Sequence, residues 1–233
     1  MTTKAKEKPI IFSTPLIPAI QNLKPDTWPP EPIDPGKPWK WQTRRVIKPQ
    51  PPENARLIYD YLDSYQGDGW AFQYSVEENG LIFNEVFSLP NTGKGSYPPG
   101  TRLWVKETWC DLRPANMVSE FGKQILYKSI DGQYGELVEA CKKKAGRGWQ
   151  SPRFMPKAAA RLWLEVKNVR VERIKEISNE DILAEGINDL GSYGANYDYF
   201  ANEIWNPLNA KRGYPWENND WVWVYEFMRT NKP

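Results

Sequence analysis

The segment RLWLEVKNVRVERI, residues 161–174, constrains the fold more than any other part of the chain. Its apolar residues alternate with polar ones, the period of a half-buried strand, but the phase changes from even positions (Leu162, Leu164, Val166) to odd (Val169, Val171). A slip of one residue turns side chains to the other face unless the strand absorbs it. The pattern therefore predicts a β-bulge near Lys167 and Asn168, as in the long bent strands of small barrels. A second segment, WVWVYEFM (221–228), is apolar on both faces and predicts a central strand with a layer on each side.

Other elements follow from local chemistry. TRLWVKETW (101–109) and QTRRVIK (42–48) read as strands, and YSVEENGLIFNEV as a hairpin turning at Glu78-Asn79-Gly80. Six prolines between Lys24 and Pro38 exclude a helix or central strand there. Pro15 and Pro18 lead into a short helix or turn around Ile17–Leu23, and YDYFANEIW predicts a helix ending before Asn206-Pro207. The best-marked helix is ISNEDILAEGI, with Ser178 as N-cap, Asp181 in the capping-box position, Ile177 stapled on Ile182 and Gly186 as left-handed C-cap. ILYKSI (125–130) is a candidate strand and CKKKAGRG (141–148) a solvated loop. The fold class expected is α+β, a small β-barrel with short helices packed outside. A flexible tail (1–9) precedes a single domain (10–230) with insertions at about 24–38, 55–95 and 111–150.

Composition narrows the chemistry. A formal charge of +2 is far from the excess expected of a protein bound to duplex nucleic acid. Two cysteines, Cys110 and Cys141, without histidine imply neither a zinc centre nor a disulfide scaffold, and the expected metal and cofactor set is none. The N-terminus lacks a signal-peptide core and no run is long enough to span a bilayer, so a cytoplasmic protein with no membrane partner is expected.

With no histidine, catalysis has to run on lysine, carboxylate, hydroxyl or thiol groups. Lys40 and Thr43 lie three residues apart among Trp39 and Trp41. A desolvated lysine can activate a neighbouring hydroxyl, although a surface loop needs no such account. Glu185 sits at the negative end of its helix, an unfavourable place for a carboxylate; it is either solvent-screened or held at a site as a proton donor. Arg44 and Arg45 should face opposite sides of a strand, so that one faces a site and the other water; Arg45, sharing parity with Thr43, is the inward anion or base-edge contact. Glu107 shares the buried face of Leu103 and Val105, a conflict of the kind that marks sites. The twelve tryptophans are core or base-stacking residues, with Trp41 a candidate substrate contact.

In order along the chain stand K-x-x-T-x-R (Lys40, Thr43, Arg45), P-P-G-x-x-L-W-V-K-E-x-W (98–109), S-P-R-x-M-P-K (151–157), I-S-x-E-D-x-x-A-E-G-I (177–187) and the closing W-V-W-V-x-E-F strand. This set resembles the ASCH-domain proteins of phages and prophages, whose fold is a PUA-like β-barrel related to RNA-binding domains. The superfamily includes amidohydrolases that cleave N4-acetylcytidine to cytidine and acetate with a Lys, a Thr and a Glu. The resemblance implies that Lys40, Thr43 and Glu185 fill those roles; Arg45, Arg44, Trp41 and Glu107 are the substrate contacts expected beside them. It implies a modified nucleoside or nucleotide, or short single-stranded RNA, as partner, in a bacterial host cell. A non-catalytic RNA-binding module and a phage protein meeting a host factor are the alternatives. Here Pro38-Trp39-Lys40-Trp41 stands where the family runs through G-R-K-T, and the larger insertions have no counterpart in the minimal hydrolases.

Overall fold

A computed structural model describes residues 6–63, 67–78, 81–88, 97–187 and 193–233. The strands are β1 (Glu7–Ile11), β2 (Gln42–Val46), β3 (Arg56–Asp63), β4 (Gly67–Glu78), β5 (Leu81–Ser88), β6 (Arg102–Lys106), β7 (Trp109–Asp111), β8 (Ile125–Tyr127), β9 (Trp163–Arg173) and β10 (Trp221–Thr230). The helices are α1 (Ile17–Gln21), α2 (Lys128–Asp131), α3 (Gly135–Ala145), α4 (Asn179–Ala184), α5 (Tyr193–Tyr199) and α6 (Asn206–Asn209), with a π-helical stretch, Phe200–Trp205, joining the last two. None of the described helices is long and apolar enough to cross a membrane.

Five strands form one mixed sheet in the order β1-β6-β9-β10-β2. β1 runs parallel to β6, and the other neighbours are antiparallel. Two small antiparallel sheets, β3-β4-β5 and β7-β8, stand apart from it, the first within the segment expected as an insertion at about 55–95. The fold is thus α+β, but among the described residues no backbone ladder joins the edge strands β1 and β2, so the sheet does not close into a barrel. Side chains span the gap instead: Arg45 donates from Nη2 to the Ile11 carbonyl at 2.8 Å, and Phe12 lies under its guanidinium, 5.3 Å from the ring centroid.

The two sequence features that framed the fold hold in detail. Along β9, Asn168 pairs with Glu226 and Val166 with Phe227, leaving Lys167 as the extra residue of a bulge. The bulge serves the core, because Leu164 and Val166 on one side of it and Val171 on the other pack in the same apolar cluster despite their opposite parity. β10 is covered on both faces. Trp221, Trp223, Tyr225 and Phe227 join Ile10, Phe12, Leu103 and Val105, while Val222 and Val224 pack against Ile174, Ile182, Phe200 and Trp205. Each such side chain contributes about 1.5–3 kcal/mol of transfer free energy, which fixes the register of β10.

Helix α4 begins and ends as its sequence predicts. The Ser178 hydroxyl accepts from the Asp181 amide at 3.1 Å, and Gly186 has φ +88°. Strands β4 and β5 form the expected hairpin, whose turn residues Asn79 and Gly80 lie outside the described residues.

Three expectations are corrected. The ordered chain starts before residue 10, since Glu7–Pro9 already pair with β6. CKKKAGRG is no loop: its first half is the end of α3, a helix built on buried Val138 and Cys141, with Lys142, Lys143 and Lys144 favourably placed in the last turn and Gly146 (φ +69°) as cap. The helical run after Tyr193 does not stop at Asn206, because Pro207 sits in the first turn of α6, where its missing N–H is harmless.

Candidate active site

The proline-rich segment, anchored by Asn22 through bonds to Asp34, Lys37 and Pro38 carbonyls, delivers Lys40 to the point where α1 and the end of α4 meet. The Lys40 amide donates to the Ala19 carbonyl and the Trp41 amide to Ala184, both at 3.0 Å, and Lys40 and Glu185 form an isolated β-bridge. This close approach needs Gly186. A Cβ there would lie 2.9 Å from the Lys40 Cβ and 3.0 Å from the Ala19 Cβ, and its φ of +88° disfavours any side chain.

Lys40 is fully buried, and its ammonium donates to the Gln42 carbonyl (2.7 Å), the Glu185 carbonyl (3.0 Å) and the Glu185 carboxylate through a short bond to Oε2. Burial pushes its pKa down; Glu185 pulls the other way but does not compensate, and the value falls to about 8. Glu185 accepts on its second oxygen from Arg44 Nη1 at 3.1 Å.

Arg44 is the hub behind this pair. It also donates to Gln42 Oε1 (2.8 Å), Asp181 Oδ2 (2.6 Å) and Glu172 Oε1 (2.7 Å). Gln42 and Arg170 reach the same Asp181, at 3.0 and 2.6 Å. Burial raises the Asp181 carboxyl, but Arg44 and Arg170 outweigh it and hold it below its ordinary value. The network fixes the Glu185 carboxylate from behind, leaving its front toward solvent space.

That space is a cleft of about 980 Å³ along the open seam between the edge strands. The segment from Pro9 to Leu16 forms one wall, Thr43 to Lys48 the floor, and the helical run to Arg212 the other wall. Thr43 and Glu185 both line it. Thr43 is otherwise buried, and among the described residues its hydroxyl makes no hydrogen bond. Phe12, on the cleft wall, lies near two cations, 5.7 Å from the buried Lys40 Nζ and 5.3 Å from Arg45 Cζ.

The structure thus brings Lys40 and Glu185 into contact and sets Glu185, Thr43, Arg44 and Arg45 along one cleft, behind whose lining Lys40 lies buried. The expectation that one arginine would face water is corrected, since α4 covers the second face of β2 and Glu172 reaches Arg44 from β9, two strands away: Arg44 is buried among carboxylates and Arg45 is half-buried in the cleft. Trp41 does not line the cleft; it packs between Trp28 and Trp39, with both ring centroids 6.4 Å away. Nor does Glu107, although its neighbours Lys106 and Thr108 do. Sequence reading missed Gln42, Asp181, Glu172 and Arg170 as members of the site. Gln42 and Arg44, polar at alternate positions of a short strand whose other face also carries Thr43 and Arg45, were the available sign that both faces are held by polar partners.

Compared with protein-family models, curated proteins and solved structures, the chain finds no match in any of the three, and its site is read from its own geometry.

Proposed function

We propose that the chain is an ASCH-domain hydrolase of the PUA-like type, its sheet left open at the seam, acting on the exocyclic amide of a modified pyrimidine nucleoside or nucleotide of the N4-acetylcytidine class. The observation that carries this reading is the buried Lys40–Glu185 pair, whose Glu185 lines the cleft that Thr43 also lines. These groups supply a base, an acid and a nucleophile without histidine.

In this mechanism neutral Lys40, roughly a tenth of the population at pH 7 for a pKa of about 8, accepts the Thr43 proton as Oγ attacks the acyl carbon. Arg45 faces the oxyanion that forms. Proton passage from Lys40 to Glu185 along their short hydrogen bond readies Glu185 to protonate the exocyclic nitrogen as the C–N bond breaks, releasing the cytosine amine. Water then hydrolyses the threonyl ester, giving its proton back through Lys40 and releasing the carboxylate.

Incubation with N4-acetylcytidine, followed by the change in ultraviolet absorbance, tests the reading. Turnover is expected, lost by about 10²–10⁴-fold in Lys40→Met and Thr43→Val, with circular dichroism showing that both variants fold. The acid limb of kcat/KM should fall with an apparent pKa near 8, following Lys40. Absence of turnover, or turnover indifferent to both substitutions, overturns the reading in favour of a non-catalytic RNA-binding module.

A further inference from the structure

The cleft carries more positive charge than amide hydrolysis requires. Arg45, Lys48, Lys106, Arg153 and Arg212 all line it, while Glu185 is the carboxylate among its lining residues. Among the described residues, none of these five cations has a carboxylate within ion-pair reach. Several cations elsewhere on the surface do: Lys24 with Glu31, Lys37 with Asp34, Lys123 with Asp131, Lys167 with Glu165. Since the whole chain carries only +2, the concentration is a property of the cleft.

An unpaired surface cation is ordinarily just solvated. Here several are held in place by contacts that leave their charge uncompensated. Arg45 uses one N–H on the Ile11 carbonyl and rests over Phe12, so most of its five donors remain for a ligand. Lys48 Nζ stands 4.5 Å over the Tyr214 ring, and Lys106 Nζ 5.3 Å over Trp104 with a bond to the Arg153 carbonyl. Glu185, beyond ion-pair reach, favours the Arg45 charge, and Arg212 opposes it. Like charges gathered in a concave, partly apolar space focus a positive field, and an anion relieves their repulsion.

We propose that the cleft takes its substrate as a phosphorylated nucleoside, with the phosphate held by Lys48 and Arg212 while the acyl group lies at Thr43 beside Arg45. The nucleoside half of this statement rests on the proposed function; the phosphate half rests on the charges. The cleft volume of about 980 Å³ is in the range of small-molecule sites, about 300–1,000 Å³, which suits a mononucleotide.

Calorimetric titration of the full chain with cytidine, cytidine 5′-monophosphate and a short cytidine-containing oligonucleotide tests this. The monophosphate should bind about ten- to hundredfold more tightly than cytidine, with an advantage that shrinks as salt rises. A Lys48→Ala/Arg212→Ala double variant, whose altered side chains are exposed, should keep the unfolding temperature and the cytidine affinity but lose that advantage. Equal affinity for cytidine and its monophosphate, or an advantage that survives in the double variant, overturns the phosphate site. An oligonucleotide bound markedly more tightly than the monophosphate overturns the mononucleotide form. The outcome is separable from the hydrolase reading: a phosphate preference without turnover of N4-acetylcytidine leaves this site standing and removes the chemistry, and turnover without the preference does the reverse.

Discussion

Among the carboxylates buried against cations, Glu185 and Glu107 differ in one respect that matters. Glu185, 4 % exposed, meets Lys40 and Arg44. Glu107, 1 % exposed, accepts from Ser129 Oγ at 2.6 Å and Arg161 Nη2 at 2.9 Å. By charge pairing and burial alone the two are equivalent. Glu185 borders the cleft that the Thr43 hydroxyl, unbonded among the described residues, also lines, whereas Glu107 lies off it: its Oε2 fastens the end of β6 to α2 and to the approach to β9, and its Oε1 is buried beside Arg161 Nε without a hydrogen bond. A buried charge thus marks a local conflict in the sequence; access decides whether the conflict serves chemistry or only holds the chain.

The comparison breaks most visibly at Glu185. Replacing it by leucine leaves the fully buried Lys40 without its counter-charge and removes one of the acceptors of Arg44. Loss of one partner of a buried pair costs about 3–5 kcal/mol, and for a chain of this size each kcal/mol lowers the melting temperature by about 2–4 °C. Thermal unfolding of Glu185→Leu should therefore fall by roughly 6–20 °C, and an unchanged melting temperature would show that Lys40 does not depend on it.

Lys40 gives the next effect, with a defined sign. Its pKa is about 8 in the folded protein against 10.5 as a model lysine, so between these values the unfolded chain binds more protons and stability rises with pH. The contribution is fully present above pH 10.5 and is lost as pH falls through 8. The difference, 10.5 − 8, corresponds to about 3 kcal/mol. It should appear as a rise in the stability of the parent chain relative to Lys40→Met in urea titrations from pH 8 to 10.5; the subtraction removes Tyr97 and Tyr225, which titrate upward-shifted in both. Parallel curves for the two proteins would refute it.

Gly186→Ala probes the backbone that makes the pair possible. The added Cβ meets two other Cβ atoms, at 2.9 and 3.0 Å, which cannot turn away. Overpacking together with a left-handed φ should cost about 2–3 kcal/mol and lower turnover by displacing Lys40 from Glu185. A variant as stable and active as the parent would show that the α4 terminus yields freely.

How much of this could be read beforehand follows from the range of each interaction. The bulge at Lys167, the two-faced strand β10 and the caps of α4 were legible because each is set by neighbours within a few residues: a phase slip, an apolar run, Ser178 and Gly186. Lys40, Thr43 and Glu185 were legible as candidates through the missing histidine and the motif order. The Arg44 hub was not, because its partners Glu172, Asp181 and Glu185 lie more than a hundred residues away and only the folded sheet aligns them. Helix α3 was missed since its three consecutive lysines read as solvated, while the apolar face they flank, Val138 and Cys141, is covered by the insertion's own small core. The open seam was equally illegible, for strand patterns state which face is buried and not whether the first and last strands meet.

The smallest effect belongs to the enclosed carboxylate, and it isolates what access contributes. In Glu107→Leu, Arg161 loses its partner, but its side chain is 20 % exposed and can turn toward water, so the cost should be only about 1–2 kcal/mol. Adding Arg161→Met, which removes the stranded charge as well, should restore most of that loss, since apolar replacements of a buried pair are commonly neutral or stabilising. The corresponding double replacement at the cleft, Lys40→Met/Glu185→Leu, should likewise recover stability relative to Glu185→Leu alone. The two doubles part in activity: hydrolysis of N4-acetylcytidine should survive the first unchanged and vanish in the second. If turnover fell equally in both, access to the cleft would not be what separates the two carboxylates, and Glu107 would have to be placed in the chemistry after all.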